Sequence, residues 1–294
     1  MNTPLLSDSP AALEALSRVS VLYTDLDGTL LGLGGSLLTD EHQSPSASTA
    51  EAIARINAAG LTIVITTGRN RIQCAEIARL LGWRGFIAEL GCVVVPDRGA
   101  EPLYLTGDWP EGSLAAGETP FDAIERLGAM RVLTEAFPGR LESHAPYHVN
   151  REATHMLRGS LDLDEACKVL SGLELPVAIV DNGIIHPVST GLAPEITEVH
   201  AYHLIPAGVT KAKTVAADLA RRGLEHNQAA MIGDSATDIA VADEVAMGVV
   251  VANALNDARA QEAASRRANV YATAHQRGSG WTEFANAWLA ARSR

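Results

Sequence analysis

A doubly wound α/β fold with a smaller α+β domain inserted into it is the architecture that three observations predict. Short apolar runs alternate with amphipathic helical patterns at both ends of the chain, as βαβ units and a parallel sheet require. Four polar clusters fall just where such runs stop, and the stretch from about 100 to 200 breaks the rhythm.

VLYTDLD, from Val21, is a short apolar strand, and STAEAIARINAAG is a helix with Ser48 or Thr49 as its cap and Gly60 as its stop. LTIVITTGR is a second strand, QCAEIARLLG a helix, and GFIAELGCVVVP a strand or hairpin. The last third repeats the pattern: TKAKTVAADLARRG, ATDIAVADEVA, NDARAQEAASRRA and WTEFANAWLAARS read as helices around the strands AAMIGD and MGVVVA. Between them lie Gly/Pro/Trp-rich connections, the short strands ATHMLRG and VAIVDNGIIHPV, and five of the nine histidines (His144, His148, His155, His186, His200). Residues 1–98 and 201–294 are therefore expected to form the core, and 99–200 the inserted domain.

Composition narrows the function classes. The chain has 294 residues, 47% hydrophobic and 20% charged, enough to bury a full core. Its formal net charge is -12 and it has no run of Lys or Arg, which argues against nucleic acid and anionic membranes as partners. Cys74, Cys92 and Cys167 show no metal-ligand spacing and fit reduced thiols in the core. No apolar run reaches the length of a membrane span, and MNTPLLSDSPAALEALSRVS has neither the basic start nor the apolar run of a signal peptide. The cytoplasm is the expected compartment.

In an open parallel sheet, ligands sit beyond the carboxyl ends of the strands. There stand Asp25 and Asp27, Thr67-Gly68-Arg69, the stretch around Lys211, and Asp234 with Asp238. Residues two apart on a strand share a face, so Asp25 and Asp27 aim at one spot while Leu26 turns to the core. Asp238 lies one helical turn beyond Asp234. Two like charges 4 Å apart cost about 4 kcal/mol at an effective dielectric near 20. Converging carboxylates therefore imply a hard divalent cation, most naturally Mg²⁺, which could take Asp25 and Asp234 and leave the Asp27 side chain free to hold a proton. One ionised nucleophile and one neutral acid would result. An EF-hand reading of DLDGT fails, because the required Gly and Glu positions are Leu30 and Ser36. GLGGSL lacks the third glycine of a dinucleotide loop, and a mere turn cap leaves the other three clusters unexplained.

The order DLDGT, TTGR, GVTK, GDSATD resembles the four motifs of the haloacid dehalogenase superfamily of phosphohydrolases, over roughly residues 19 to 270. The resemblance implies a Rossmann-like core, Asp25 as the nucleophile that forms an aspartyl-phosphate, and Asp27 as the acid that protonates the leaving oxygen and later activates water. It implies that Thr67 and the backbone of Gly68 bind a phosphoryl oxygen, and that Lys211 neutralises the nucleophile and the phosphoryl group. Mg²⁺ would be held by Asp25, the main-chain carbonyl of Asp27 and Asp234, with Asp238 in support. Thr66 beside Thr67 and Lys213 beside Lys211 are rivals on composition alone; the motif register selects Thr67 and Lys211. Arg69 could bind substrate or brace its loop.

There are 40 positions from Asp27 to Thr67 and 144 from Thr67 to Lys211, so the cap must lie between the second and third motifs. That arrangement resembles the Cof-type branch, with its sucrose-phosphate and mannosyl-3-phosphoglycerate phosphatases and the phosphomannomutases. Thr237 and Leu90 stand where the branch usually has Asn, and the 32–48 loop, longer than usual, could act as a flap. His148, Arg151, His155 and Arg158 are candidates for the cap side of the cleft, with His148 and Arg158 expected to bind substrate. The expected activity is Mg²⁺-dependent hydrolysis of a small phosphate ester, a sugar phosphate; a phosphomutase and a silent sugar-phosphate sensor are the alternatives.

Overall fold

The protein was analysed as a computed structural model, which describes residues 3–292. In chain order the elements are α1 (Pro10–Leu16), β1 (Val21–Thr24), α2 (Ser48–Ala59), β2 (Thr62–Thr66), α3 (Arg71–Leu81), β3 (Phe86–Ala88), β4 (Val93–Val95) and β5 (Leu103–Tyr104). Then come α4 (Pro120–Arg126), α5 (Ala129–Ala136), β6 (Leu141–Ser143), β7 (His155–Gly159), α6 (Leu163–Leu170), β8 (Val177–Ile185) and β9 (Val199–Pro206). The chain closes with α7 (Lys211–Arg222), β10 (Ala229–Gly233), α8 (Ala236–Ile239), β11 (Met247–Val250), α9 (Ala258–Ser265), β12 (Val270–Ala272) and α10 (Arg277–Arg292).

Eight strands form the large sheet in the order β12-β11-β10-β1-β2-β3-β4-β5. It is parallel from β12 to β3, and β4 and β5 add an antiparallel edge. Its central strands are apolar without alternation because both faces are covered. Leu22, Ile63, Ile65, Ala230 and Ile232 pack beneath Ile56, Trp281, Phe284 and Trp288. Val21, Tyr23, Val64 and Met231 pack against Val215, Leu219, Val241 and Val245 on the other face. The polar ends of the large buried side chains find partners, as such groups must: Trp281 Nε1 donates to Thr24 Oγ1 (3.1 Å), and the Tyr23 hydroxyl to Asp218 (2.9 Å).

Local chemistry departs from expectation at several points. Ala47, with no side-chain hydrogen bond, precedes α2, so Ser48 is the first helical residue and not its cap; Gly60 does stop the helix, at φ 82°. The expected helix over 236–246 is one α-turn, α8, followed by a 3₁₀ turn at Ala240–Asp243. Cys74 and Cys92 are buried, but Cys167 is exposed.

The smaller sheet is antiparallel, β6-β7-β9-β8. Leu157, Tyr202 and Leu204 face Ile124, Leu133, Ala166 and Leu170 of the cap helices. Alternation turns Ala201, His203 and Ile205 toward the core. Sheet membership moves the crossings along the chain from 98/99 and 200/201: Leu103–Tyr104 still pairs with β4 in the large sheet, and β9 continues through Pro206 in the small one.

The joint between the two sheets is polar. Glu89, from the loop after β3, is completely buried. Its carboxylate accepts the backbone N–H groups of Glu152 (2.9 Å), Ala153 (3.2 Å) and Thr154 (2.9 Å) and the Thr154 hydroxyl (2.8 Å). Arg151 lies 3.8 Å away and donates to the Gly68 carbonyl from both terminal nitrogens. Arg71 adds a two-pronged pair with Glu152 (2.6 Å). To satisfy this joint Glu89 and Leu90 adopt left-handed backbone, φ 51° and 58°, at roughly 1–2 kcal/mol each.

Candidate active site

β1 is flanked by β10 on one side and β2 on the other, in register so that Thr24 lies level with Ile232 and with Ile65. The chain order reverses at this point, where an open sheet leaves a crevice. Asp25, Thr67 and Asp234, each one residue past its strand, therefore line one cleft of about 840 Å³ between the sheet ends and the cap, ample for a small ligand. Thr67 lines it and Thr66 does not.

Asp25 sits on the floor at 6% exposure. Lys211, buried at the start of α7, donates to Asp25 Oδ1 (3.2 Å) and to Asp238 Oδ1 (2.6 Å). The other oxygen of Asp238 accepts from Ser235 N (3.1 Å) and Ser235 Oγ (2.6 Å), closing a capping box on α8. Asp238 is thus committed to holding Lys211 and the turn. Asp234 accepts only long bonds, from Thr29 Oγ1 (3.4 Å) and Asn253 Nδ2 (3.3 Å).

Oxygens of Asp25, Asp234 and Asp238 all lie within 4.8 Å of one another. Burial, aggravated by neighbouring carboxylates, pushes the Asp25 carboxyl well above the ordinary range, with Lys211 opposing; the same causes push Asp234 up to about 7. One buried ammonium does not balance the charge of three carboxylates. The donor set, all carboxylate oxygen with Asp234 weakly engaged, fits a hard divalent cation.

The side chain of Asp27 is different: it is 56% exposed and clasped by Arg69, Nε to Oδ2 at 2.7 Å and Nη2 to Oδ1 at 2.5 Å. Both residues line the cleft, while Leu26 is in the core. Gly28 (φ 80°) makes the turn that follows, and a Cβ there would lie 2.1 Å from Asp234 Oδ2. Gly28→Ala must displace Asp234, so it should weaken binding of a divalent cation by this carboxylate set about 10–100-fold, as measured by titration calorimetry.

On the cap side the expected residues are mostly elsewhere. Arg158 pairs with Glu142 (2.6 Å), directly across the strand, and with the Ser189 carbonyl (2.9 Å). His155 stacks on Phe121 at 3.8 Å, on the face toward the cap helices. Neither of these nor His148 lines the cleft. Those positions fall to His144, Arg151, Met156, Ala201 and His203, with Asp181 at the rim, bridged to Arg259 of α9 at 3.2 Å. Which face of β7 and β9 meets the core is settled by packing against α4–α6, which a short strand does not announce. Asn253 escaped notice too: its amide donates to the Gly28 carbonyl (3.0 Å) and to Asp234, and its only trace is a lone Asn beyond β11. Leu90, where an Asn was expected, packs over Gly68, whose Cβ position is 3.3 Å from Leu90 Cδ2. The Thr237 hydroxyl lies 2.8 Å from Ser235 Oγ.

Among proteins of known identity, the chain is 26% identical over 239 residues to a phosphoglycolate phosphatase of Methanospirillum hungatei, covering 81% of this chain and 86% of that protein. A crystal structure of a Thermoplasma acidophilum protein superposes with a TM-score of 0.60 at 17% identity, over 92% of this chain and 99% of the other. The sucrose-phosphatase of Synechocystis, solved with sucrose and phosphate, gives 0.59 at 14% identity, over 92% and 98%. The family model for haloacid dehalogenase-like hydrolases matches residues 22–106 and 192–272. Those two segments make up more than half of the chain, carry every strand-end residue of the cleft floor, and are interrupted where the cap is inserted; the chain belongs to the haloacid dehalogenase-like hydrolases, in the Cof-type arrangement.

Proposed function

We propose that the chain is a Mg²⁺-dependent phosphomonoester hydrolase that works through an aspartyl-phosphate on a small polar metabolite ester. The observation that carries this reading is Asp25: a buried carboxylate at the floor of an open cleft, with one oxygen held by Lys211. Attack of Asp25 on phosphorus forms the new O–P bond as the ester O–P bond breaks, and the departing oxygen takes a proton from Asp27. Asp27, now a base, removes a proton from the water that cleaves the aspartyl-phosphate, releasing phosphate and restoring both residues. For this the Arg69–Asp27 clasp must open, and Arg69 then faces the incoming ester. Thr67 and Lys211, which line the cleft, would hold phosphoryl oxygens in line. Asp25, Asp234 and the Asp27 carbonyl would hold Mg²⁺, with Asp238 behind Lys211; when bound, the ion supplies charge neutralisation to the carboxylates and the phosphoryl group.

The substrate class, a phosphate ester of a small polar molecule, rests on the size and polarity of the cleft and on what the relatives are named for. No helix among the described residues is long and apolar enough to cross a membrane. The test is phosphate release from a panel of esters with Mg²⁺ and with chelator. Release that needs Mg²⁺ is expected; conversion of one sugar phosphate to its isomer without release would make the protein a mutase. Independently of turnover, Mg²⁺ at 100 times its dissociation constant should stabilise the fold by about 2.7 kcal/mol. Thermal unfolding reads this directly, and Asp234→Asn should remove most of the shift.

A further inference from the structure

We infer that His203 is the residue through which the cap selects the leaving group, its two ring nitrogens pairing with separate hydroxyls of the substrate close to the ester. This rests on the hydrolase reading above for the position of the phosphoryl group. His203 lies on β9, facing the core, and is completely buried, yet neither Nδ1 nor Nε2 has a hydrogen-bond partner. Buried polar side chains are almost always paired, so an orphaned ring lining a ligand cleft points to a partner that arrives with the ligand. Its position is specific: a Cβ placed on Gly68, in the loop that follows Thr67, would lie 3.7 Å from His203 Cε1 and Nε2. The ring therefore stands beside the loop that follows Thr67, on the cap side of the cleft where the leaving group of an ester held at Thr67 would lie.

The chemistry of the partner follows from the charge of the ring. Burial, reinforced by Arg151, His144 and Lys211, holds His203 far below its ordinary range, so the imidazole is neutral. A neutral imidazole offers one N–H and one lone pair. A hydroxyl, both donor and acceptor, serves either nitrogen, so a polyol can satisfy both; a carboxylate only accepts and leaves the lone pair unmet. The surrounding cap wall offers no free cation to an anionic leaving group. Arg151 spends all five donors, on the carbonyls of Tyr147 and Gly68, on Thr154 and on Met156 Sδ. His144, also on the cleft with an unpartnered Nδ1, is likewise held below its ordinary range by burial. Other cations of the cleft lie away from the wall that carries His203: Arg69, clasped to Asp27, and Arg277 on the core side, and Arg259, bridged to Asp181.

Binding to the Asp25→Asn protein with Mg²⁺, read by titration calorimetry, tests the inference without depending on turnover. The probes are sn-glycerol 3-phosphate and glucose 6-phosphate, which carry hydroxyls, and phosphoglycolate, which carries a carboxylate and none. At least one hydroxylated probe should bind 10-fold or more tightly than phosphoglycolate. Adding His203→Leu should bring that ratio within threefold of unity, whereas His203→Gln, which keeps a donor and an acceptor, should retain it. Tighter binding of phosphoglycolate, no binding of either hydroxylated probe, or a ratio that survives His203→Leu would overturn the assignment. Because Leu replaces an unsatisfied polar group, the ligand-free His203→Leu variant should melt at or above its parent; a lower melting temperature would mean that the ring is held from within the protein, and would overturn it too. If the wild-type enzyme releases phosphate from no ester at all, the hydrolase reading fails, while the binding ratios still decide the role of His203.

Discussion

Asp25→Asn should lower phosphate release by at least about 10⁴-fold, the scale on which removal of a covalent nucleophile is felt, and should do so without unfolding the protein. Asparagine has the shape of aspartate, so the packing of the cleft floor is kept. What is lost is a charge that burial and the carboxylates of Asp238 and Asp234 already disfavour. Lys211 keeps its shorter contact, 2.6 Å to Asp238, against the 3.2 Å contact to Asp25 that weakens. The thermal midpoint without Mg²⁺ should therefore match or exceed that of the wild type, and the activity loss reads as chemistry. Two outcomes would count against the mechanism: residual turnover within 100-fold of wild type, or incorporation of phosphate into the asparagine variant on acid quench. The same substitution should leave the Asp27–Arg69 clasp intact, since Lys211 bonds Asp25 and Asp238 and not the two oxygens that Arg69 grips.

The floor of the cleft was legible because strand-end chemistry is local. Asp25, Thr67 and Asp234 each follow an apolar strand by one residue, and a parallel sheet brings such positions together whatever packs around them. Lys211 was legible only through its motif, since nothing in TKAK distinguishes a buried ammonium between two carboxylates from a solvated helix residue. The cap wall was not legible for a different reason. VHAYHLIP is apolar on both faces, so its pattern does not tell that Tyr202 and Leu204 serve the cap core while His203 meets the catalytic side. Arg158, expected to bind substrate, is claimed by Glu142 on the neighbouring strand. Glu89 was invisible for a third reason: its value lies in three consecutive backbone N–H groups more than sixty residues away, and backbone donors leave no mark in a sequence.

Glu89 accordingly carries the largest expected effect on stability. Glu89→Leu removes an acceptor that four donors converge on and leaves Arg151, 2% exposed at its side chain, without a counter-charge within reach. Breaking one side of a buried ion pair typically costs about 3–5 kcal/mol, because the remaining charge is stranded. That cost should appear in chemical denaturation. It should fall on the attachment of the cap to the core, since every group that Glu89 receives belongs to residues 152–154 and its own strand end belongs to the large sheet. Adding Arg151→Met to Glu89→Leu should recover part of the loss, since the double variant has no stranded charge, although the three N–H groups still lack an acceptor. A single-variant cost under about 1 kcal/mol, or a double variant worse than the sum of the singles, would show that the carboxylate is not what docks the cap. Because Arg151 also grips the carbonyl of Gly68, the residue after Thr67, loosening this joint should reach the chemistry. A cap that docks less firmly excludes water less completely from the cleft and positions His203 less often over it. Glu89→Leu should therefore raise KM for the natural ester more than it lowers kcat for a small aryl phosphate, which requires little of the cap.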